Sequence, residues 1–153
     1  MQELYHYIAT LLKTIKEFKT VAVWNNQTNE EPKELPLIVP AVYFSASITW
    51  LSASSGTRFG EATVSIYIAT ELYETTEDNT LTEAAHFILV DKVYQKLGKN
   101  GFVPLSDTPD TNHGNLPVHV STYRLNFKDS QLKQTNDAAK NLIKQTPNLK
   151  VQK

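Results

Sequence analysis

Few side chains in this chain could do acid–base or metal chemistry. There are four histidines, His6, His86, His113 and His119, and no cysteine among 153 residues. Without a thiol, disulfides, zinc–thiolate sites, iron–sulfur clusters and cysteine nucleophiles are excluded. His6 and His86 fall in separate helical segments, and neither has a partner at metal-ligand spacing. Each reads as a surface or boundary histidine. His119 shares an alternating strand face with Ser121 and Tyr123, but no third member of a triad is evident. The stretch from Asp107 to Asn115 holds Asp, Asn and Gly, as a calcium loop does. An EF-hand needs a bidentate Glu at position 12, and counted from Asp110 that position is Ser121. Asp, Asn, Gly and Pro are also ordinary turn formers, so a plain loop is predicted there. GxGxxG, a phosphate loop, GxSxG and HExxH are all missing. The acids lie in loops rich in other acids, where desolvation does not tune a carboxyl for acid–base work. The expectation is therefore no catalytic, cofactor-binding or metal residues, no cofactor and no enzyme activity.

The bulk composition agrees with a folded domain. Apolar residues make up 41% and charged residues 20%, which suits a globular chain. A chain of this length buries roughly 68–70% of its unfolded surface without needing staples. Fifteen basic residues face sixteen acidic ones, a net charge of −1. That balance excludes nucleic-acid binding through bulk positive charge. Lys92, Lys96 and Lys99 gather near Tyr94, and this reads as a solvated helix end. No apolar run approaches the ~18–20 residues of a membrane span. The first residues carry Glu3 where a signal peptide wants a base. The expectation is a protein made and kept in a cytoplasm, with no membrane partner and no sequence-specific nucleic acid.

The order of elements carries more information. Leu4, Ile8, Leu11, Leu12, Ile15 and Phe18 make one apolar stripe, which predicts a helix over residues 2–18. Thr20 to Trp24 reads as a short strand, and the polar stretch from Asn25 to Pro36 as a surface loop. Two alternating segments follow. Val42, Phe44, Ala46, Ile48 and Trp50 share one face, with Tyr43, Ser45, Ser47 and Thr49 on the other; then come Ala62, Val64, Ile66 and Ile68, against Glu61, Thr63, Ser65 and Tyr67. They predict a long antiparallel hairpin, joined by a small-residue turn between Ser52 and Gly56.

After an acidic connector (Glu71, Glu74, Glu77, Asp78), Thr80 and Glu83 form a capping box that opens a helix running to Leu97 and Gly98. That helix has two apolar sides. Leu81, Ala84, Ala85 and Ile88 mark one, and Phe87, Val90, Tyr94 and Leu97 the other. A helix apolar over so much of its circumference is buried on two sides, and one side is a candidate subunit contact. Phe102 to Leu105 reads as a proline-bearing edge strand, Ser106 to Pro117 as a loop, and Val118 to Lys128 as the last strand. Residues 130–153 carry five lysines and one acid, a net +4 that leaves −5 on the rest. The expected organisation is a single α+β domain over 1–129. It has an antiparallel or mixed sheet of four to five strands, a long hairpin and two packed helices. A basic tail over 130–153 is expected to be mobile or to order on a partner. Asp137 to Gln145 could form one short helix.

This order resembles the tail terminator, or tail completion, proteins of tailed bacteriophages and the related neck proteins between head and tail. The resemblance rests on the opening helix Leu4–Phe18 and the hairpin Val42–Trp50 with Ala62–Thr70. The capped helix Thr80–Leu97 and the closing segments Phe102–Leu105 and Tyr123–Phe127 complete it. It covers roughly residues 1–128. It implies a non-enzymatic assembly protein that forms a hexameric ring, caps the finished tail tube and offers a docking face to the head. The partners implied are copies of itself, the tail tube and head-completion proteins. The implied location is the cytoplasm of the bacterial host during assembly and then the tail or neck of the virion. Phe87, Val90, Tyr94, Tyr43 and Tyr67 are the candidate subunit-interface residues, with the hairpin as a further contact.

Two other functions fit the same elements. One is a ferredoxin-like enzyme or small-molecule binder, whose pocket would be lined by Tyr43, Tyr67, His119 and Tyr123. The other is an adaptor that binds a protein through its sheet edge.

Overall fold

A computed structural model describes residues 1–25, 28, 38–70, 79–110 and 116–145, the side chains of 79–85 and 141–145 excepted. Eight elements follow one another: α1 Gln2–Lys13, β1 Thr20–Val23, β2 Ala41–Ser54, β3 Thr57–Ala69, α2 Asn79–Gly98, β4 Val103–Asp110, β5 Val118–Lys128 and α3 Asp129–Gln145. The strands form one mixed sheet in the order β1-β2-β3-β5-β4. Only the β1–β2 pair is parallel. The fold is α+β, as the patterning predicts, with three helices against the sheet instead of two.

The alternation of β2 and β3 becomes a division between the faces of the sheet. Val42 and Phe44 point to the helices with Ala62, Val64, Ile66 and Ile68, and all six are buried. Leu4, Ile8 and Leu12 of α1 pack on them, as do Leu89, Val90, Val93 and Leu97 of α2. Regular helix ends at Lys13, short of the predicted Phe18. Ile15 and Phe18 are still buried: the chain turns down to enter β1, and their apolar side chains follow the core without needing helical geometry.

The hairpin is longer and tighter than predicted. Its strands run to Ser54 and from Thr57, with a two-residue turn. Ser55 and Gly56 both have positive φ, 48° and 77°, the I′ geometry that matches the twist of the flanking strands. A bulge falls between Trp50 and Ser52.

Two further segments depart from expectation. Ser106 to Asp110 continues β4 where a loop is predicted. Turn-forming residues are tolerated there because β4 is an edge, and a proline on an edge can face solvent with no hydrogen bond lost. The second correction concerns the tail. Residues 129–145 form α3, with Leu132 and Asn136 buried and Ala139 half-buried. These positions follow i, i+4, i+7 spacing, the inward stripe of a packed helix. Asn136 donates from Nδ2 to the backbone carbonyl of Glu3 at 3.1 Å and to its Oε2 at 2.6 Å. The polar residue in the stripe hides the amphipathic pattern from a count of apolar residues. The domain therefore extends past 129, and the predicted basic tail beyond 145 lies outside the described residues.

Candidate interaction surfaces

The alternation of β5 puts His119, Ser121 and Tyr123 on the helix-facing side of the sheet, as the sequence implies, and all three are buried. What the sequence does not reveal is their partner. Asp107 of β4 lies opposite Ser121. Its Oδ1 accepts from Ser121 Oγ at 2.8 Å and contacts His119 Nε2. Beside them, the Thr70 hydroxyl is 2.9 Å from His86 Nδ1. The rings of His86 and His119 are 5.8 Å apart, and Phe87 packs edge-on against both. Burial lowers the His86 pKa, with a smaller contribution from His119. Burial pushes the Tyr123 phenol up to about 12. Ser, His and Asp meet here, but in the wrong order for a nucleophile. The hydroxyl of Ser121 bonds the carboxylate and not the imidazole, so no base is placed to take its proton. The cluster is a satisfied polar plug beneath α2. Among the described residues, no group of three or more His, Asp or Glu side chains is arranged to hold a metal.

The candidate interface residues are divided by the structure. Phe87 and Tyr94 are 52% and 51% exposed. Val90 is buried at 5% and Tyr43 at 2%, so both lie inside the core of this chain and offer nothing to a neighbour. α2 buries the stripe His86, Leu89, Val90, Val93, Leu97. That turns Phe87, Ile88 and Tyr94 outward. Sequence reasoning placed Val90 with Phe87 because both sides of α2 are apolar, and only packing says which side the sheet covers. Tyr43 is buried because the opposite face of the sheet has a small core of its own. Ala41, Tyr43, Ala69 and Val118 meet there with Trp24 and Tyr67 packed against them. Tyr67 is half-buried and stacks on Trp24 at 4.0 Å. The pocket expected from Tyr43, Tyr67, His119 and Tyr123 does not form, since the first pair and the second lie on opposite faces. His113 and the capping-box side chains of Thr80 and Glu83 lie outside the described residues.

Two surfaces remain exposed and apolar at the two ends of the sheet. At the β4 end, Phe87, Ile88 and Tyr94 of α2 are about half exposed. Exposed Asp91 lies beside them on the helix. Val103 and Leu105 of β4 are exposed to the same degree, but Val103 pairs with Arg124, one step from the helix-facing Pro104–Tyr123 pair, and so points to the opposite face of the sheet. At the β1 end, Val23 and Ile38 are 46% and 60% exposed, with exposed Lys13 and Lys16 on the segment that leads into β1. The hairpin carries a third exposed area, Trp50 and Leu51. No helix among the described residues is long and apolar enough to cross a membrane. The chain matches no model of a known protein family, and it matches no curated protein.

Proposed function

We propose that this protein is a non-enzymatic assembly protein of a phage tail or neck, a tail terminator that closes into a ring on the tail tube and receives the head. The observation that supports this reading most is the difference between the two ends of the sheet. A ring needs a heterologous contact, in which one surface of a subunit meets a different surface of the next. At the β4 end α2 presents Phe87, Ile88 and Tyr94 beside Asp91, and the β1 end presents Val23 and Ile38 with exposed Lys13, Lys16 and Glu17 on the segment that leads into it. The three half-exposed apolar side chains of α2 leave on the order of 250–350 Å² of apolar surface there, the size of the largest apolar patch on a typical monomer, which is often functional. The hairpin then projects from the ring toward whatever lies above or below it.

The test is assembly. The purified chain is measured by light scattering at micromolar concentration, alone and with tail-tube protein. The expected species is a hexamer, weakened by salt because its rim is ionic. Phe87→Asp and Tyr94→Asp are expected to leave a soluble fold and abolish the ring. A strict monomer in the presence of tube, or normal assembly by both variants, overturns the reading. Terminase, portal and tape-measure genes beside the coding sequence are the matching genetic expectation.

A further inference from the structure

The two edges of the sheet are treated differently. β1 covers β2 only from Ala41 to Phe44. The Trp24 N–H donates to the Phe44 carbonyl at 2.7 Å. At Ala46 the side chain of Tyr5 takes over. Its hydroxyl accepts from the Ala46 N–H at 3.1 Å and donates to the Ala46 carbonyl at 3.2 Å. Ala46 thus turns both backbone groups away from β3, and alternate residues of a strand do the same. Ile48 and Trp50 therefore turn an N–H and a C=O each to that side, and no hydrogen bond from the described residues meets them there. From Ser47 to Ser54 the edge contains no proline and no charged residue.

The other edge is closed. The register Ala46–Val64–Tyr123–Pro104 carries the same alternation across the sheet, and Ser121–Asp107 and His119–Pro109 continue it. The outward positions of β4 are then Pro104, Asp107 and Pro109. Two of them have no N–H, and the third carries a charge. Prolines, charges and bulges are how proteins blunt an edge against pairing; the β2 edge carries the bulge between Trp50 and Ser52 but neither of the other two.

We infer that the open edge of β2 pairs with the same edge of a second copy, antiparallel about a two-fold axis near Trp50. Three observations select a second copy. The first is charge: a two-fold contact sets each residue against its own kind, and a neutral edge meets no like charge there. The second is length. Eight open residues span about 26 Å, bounded at one end by Tyr5 and β1 and at the other by the Ser55–Gly56 turn. In an antiparallel pair the mate's turn falls where Tyr5 begins, so nothing collides. The third is the neighbouring β4 edge, which cannot supply the N–H groups a regular ladder with β2 would need. Leu51, 63% exposed, and Trp50, 40% exposed, are covered by the pairing. The area is on the order of 800–1,000 Å² in total, the size of a weak, reversible interface. The inference stands on the sheet edge alone and is independent of the ring reading. A two-fold contact added to a ring gives dihedral symmetry, two rings back to back.

The chain has no cysteine, which makes cross-linking unambiguous. Thr49→Cys chains mixed with Leu51→Cys chains, positions that face each other across an axis at Trp50, are expected to give a covalent dimer under mild oxidation at tens of micromolar protein, and Lys99→Cys is expected not to. By sedimentation, the wild-type species is expected to halve in size in the Thr49→Lys, Leu51→Lys double variant. The Phe87→Asp, Tyr94→Asp double variant is expected to keep the cross-link while losing the ring. Absence of that cross-link, or a wild-type size unchanged by the two lysines, overturns the pair. A persistent cross-link without any ring sinks only the ring reading, and a ring without a cross-link sinks only the pair.

Discussion

Asp107 and His119 sit on adjacent strands, diagonal to each other on the helix-facing side of the β4–β5 ladder, and one carboxylate oxygen serves both His119 and Ser121. The imidazole is almost wholly buried, while the carboxylate is more than half exposed. The arrangement anchors the edge strand through side chains where the main chain has prolines.

Removing the acid leaves a buried imidazole and a buried hydroxyl without their shared acceptor. Asp107→Ala is expected to cost about 1–3 kcal/mol, the usual penalty for stranding buried polar groups. Asp107→Asn, which keeps an acceptor oxygen, is expected to recover part of it. Urea denaturation read by tryptophan fluorescence measures both.

His86 sets a pH dependence. Its pKa is lowered in the folded state by burial, then by His119, so the unfolded chain takes up the proton first. A group with a depressed folded pKa gives stability that is complete above its unfolded value. That stability is lost as pH falls through it toward the folded value. Stability is expected to decline as pH drops below about 6.5, the ordinary histidine value. His86→Gln is expected to flatten that part of the curve. Denaturation midpoints between acid and neutral pH test this, and an identical slope in the variant would refute it.

Gly60 makes room for two rings. A Cβ there would lie 3.0 Å from Phe127 Cζ and 3.1 Å from the Trp50 ring, and those rings pack edge-to-face at 5.8 Å. Gly60→Ala is expected to destabilise by about 1–3 kcal/mol through overpacking. Phe127→Leu in the same chain is expected to relieve part of the clash. A neutral Gly60→Ala would mean that Trp50 moves freely.

Asn136 ties α3 to the start of α1. Asn136→Ala removes two hydrogen bonds to Glu3 and takes away the polar side chain that fills this buried position of α3. The expected cost is about 1–3 kcal/mol, and amide exchange is expected to rise over both α1 and α3. Cleavage after Asp129 with no loss of stability would return the segment to the status of a tail.

Much of the fold is legible in the chain because its signals are local. The alternation from Val42 to Ile48 and from Ala62 to Ile68 specifies strands and their inward faces. Leu4, Ile8 and Leu12 specify a helix stripe, since a side chain's direction follows from its own backbone. Other features depend on what comes to lie opposite. Val90 and Phe87 are both apolar, and only the sheet beneath α2 decides which is core. Tyr43 becomes core because Trp24 and Val118 arrive on its face from distant segments. Asn136 is inward because Glu3, 133 positions away, offers it acceptors. The partnership of Asp107 with His119 and the open edge of β2 likewise belong to strand register, which sequence pattern constrains only through the whole sheet. The chain itself determined which residues alternate and which are apolar. The tertiary structure decided which of them meet, because burial and hydrogen bonding are properties of pairs brought together by folding.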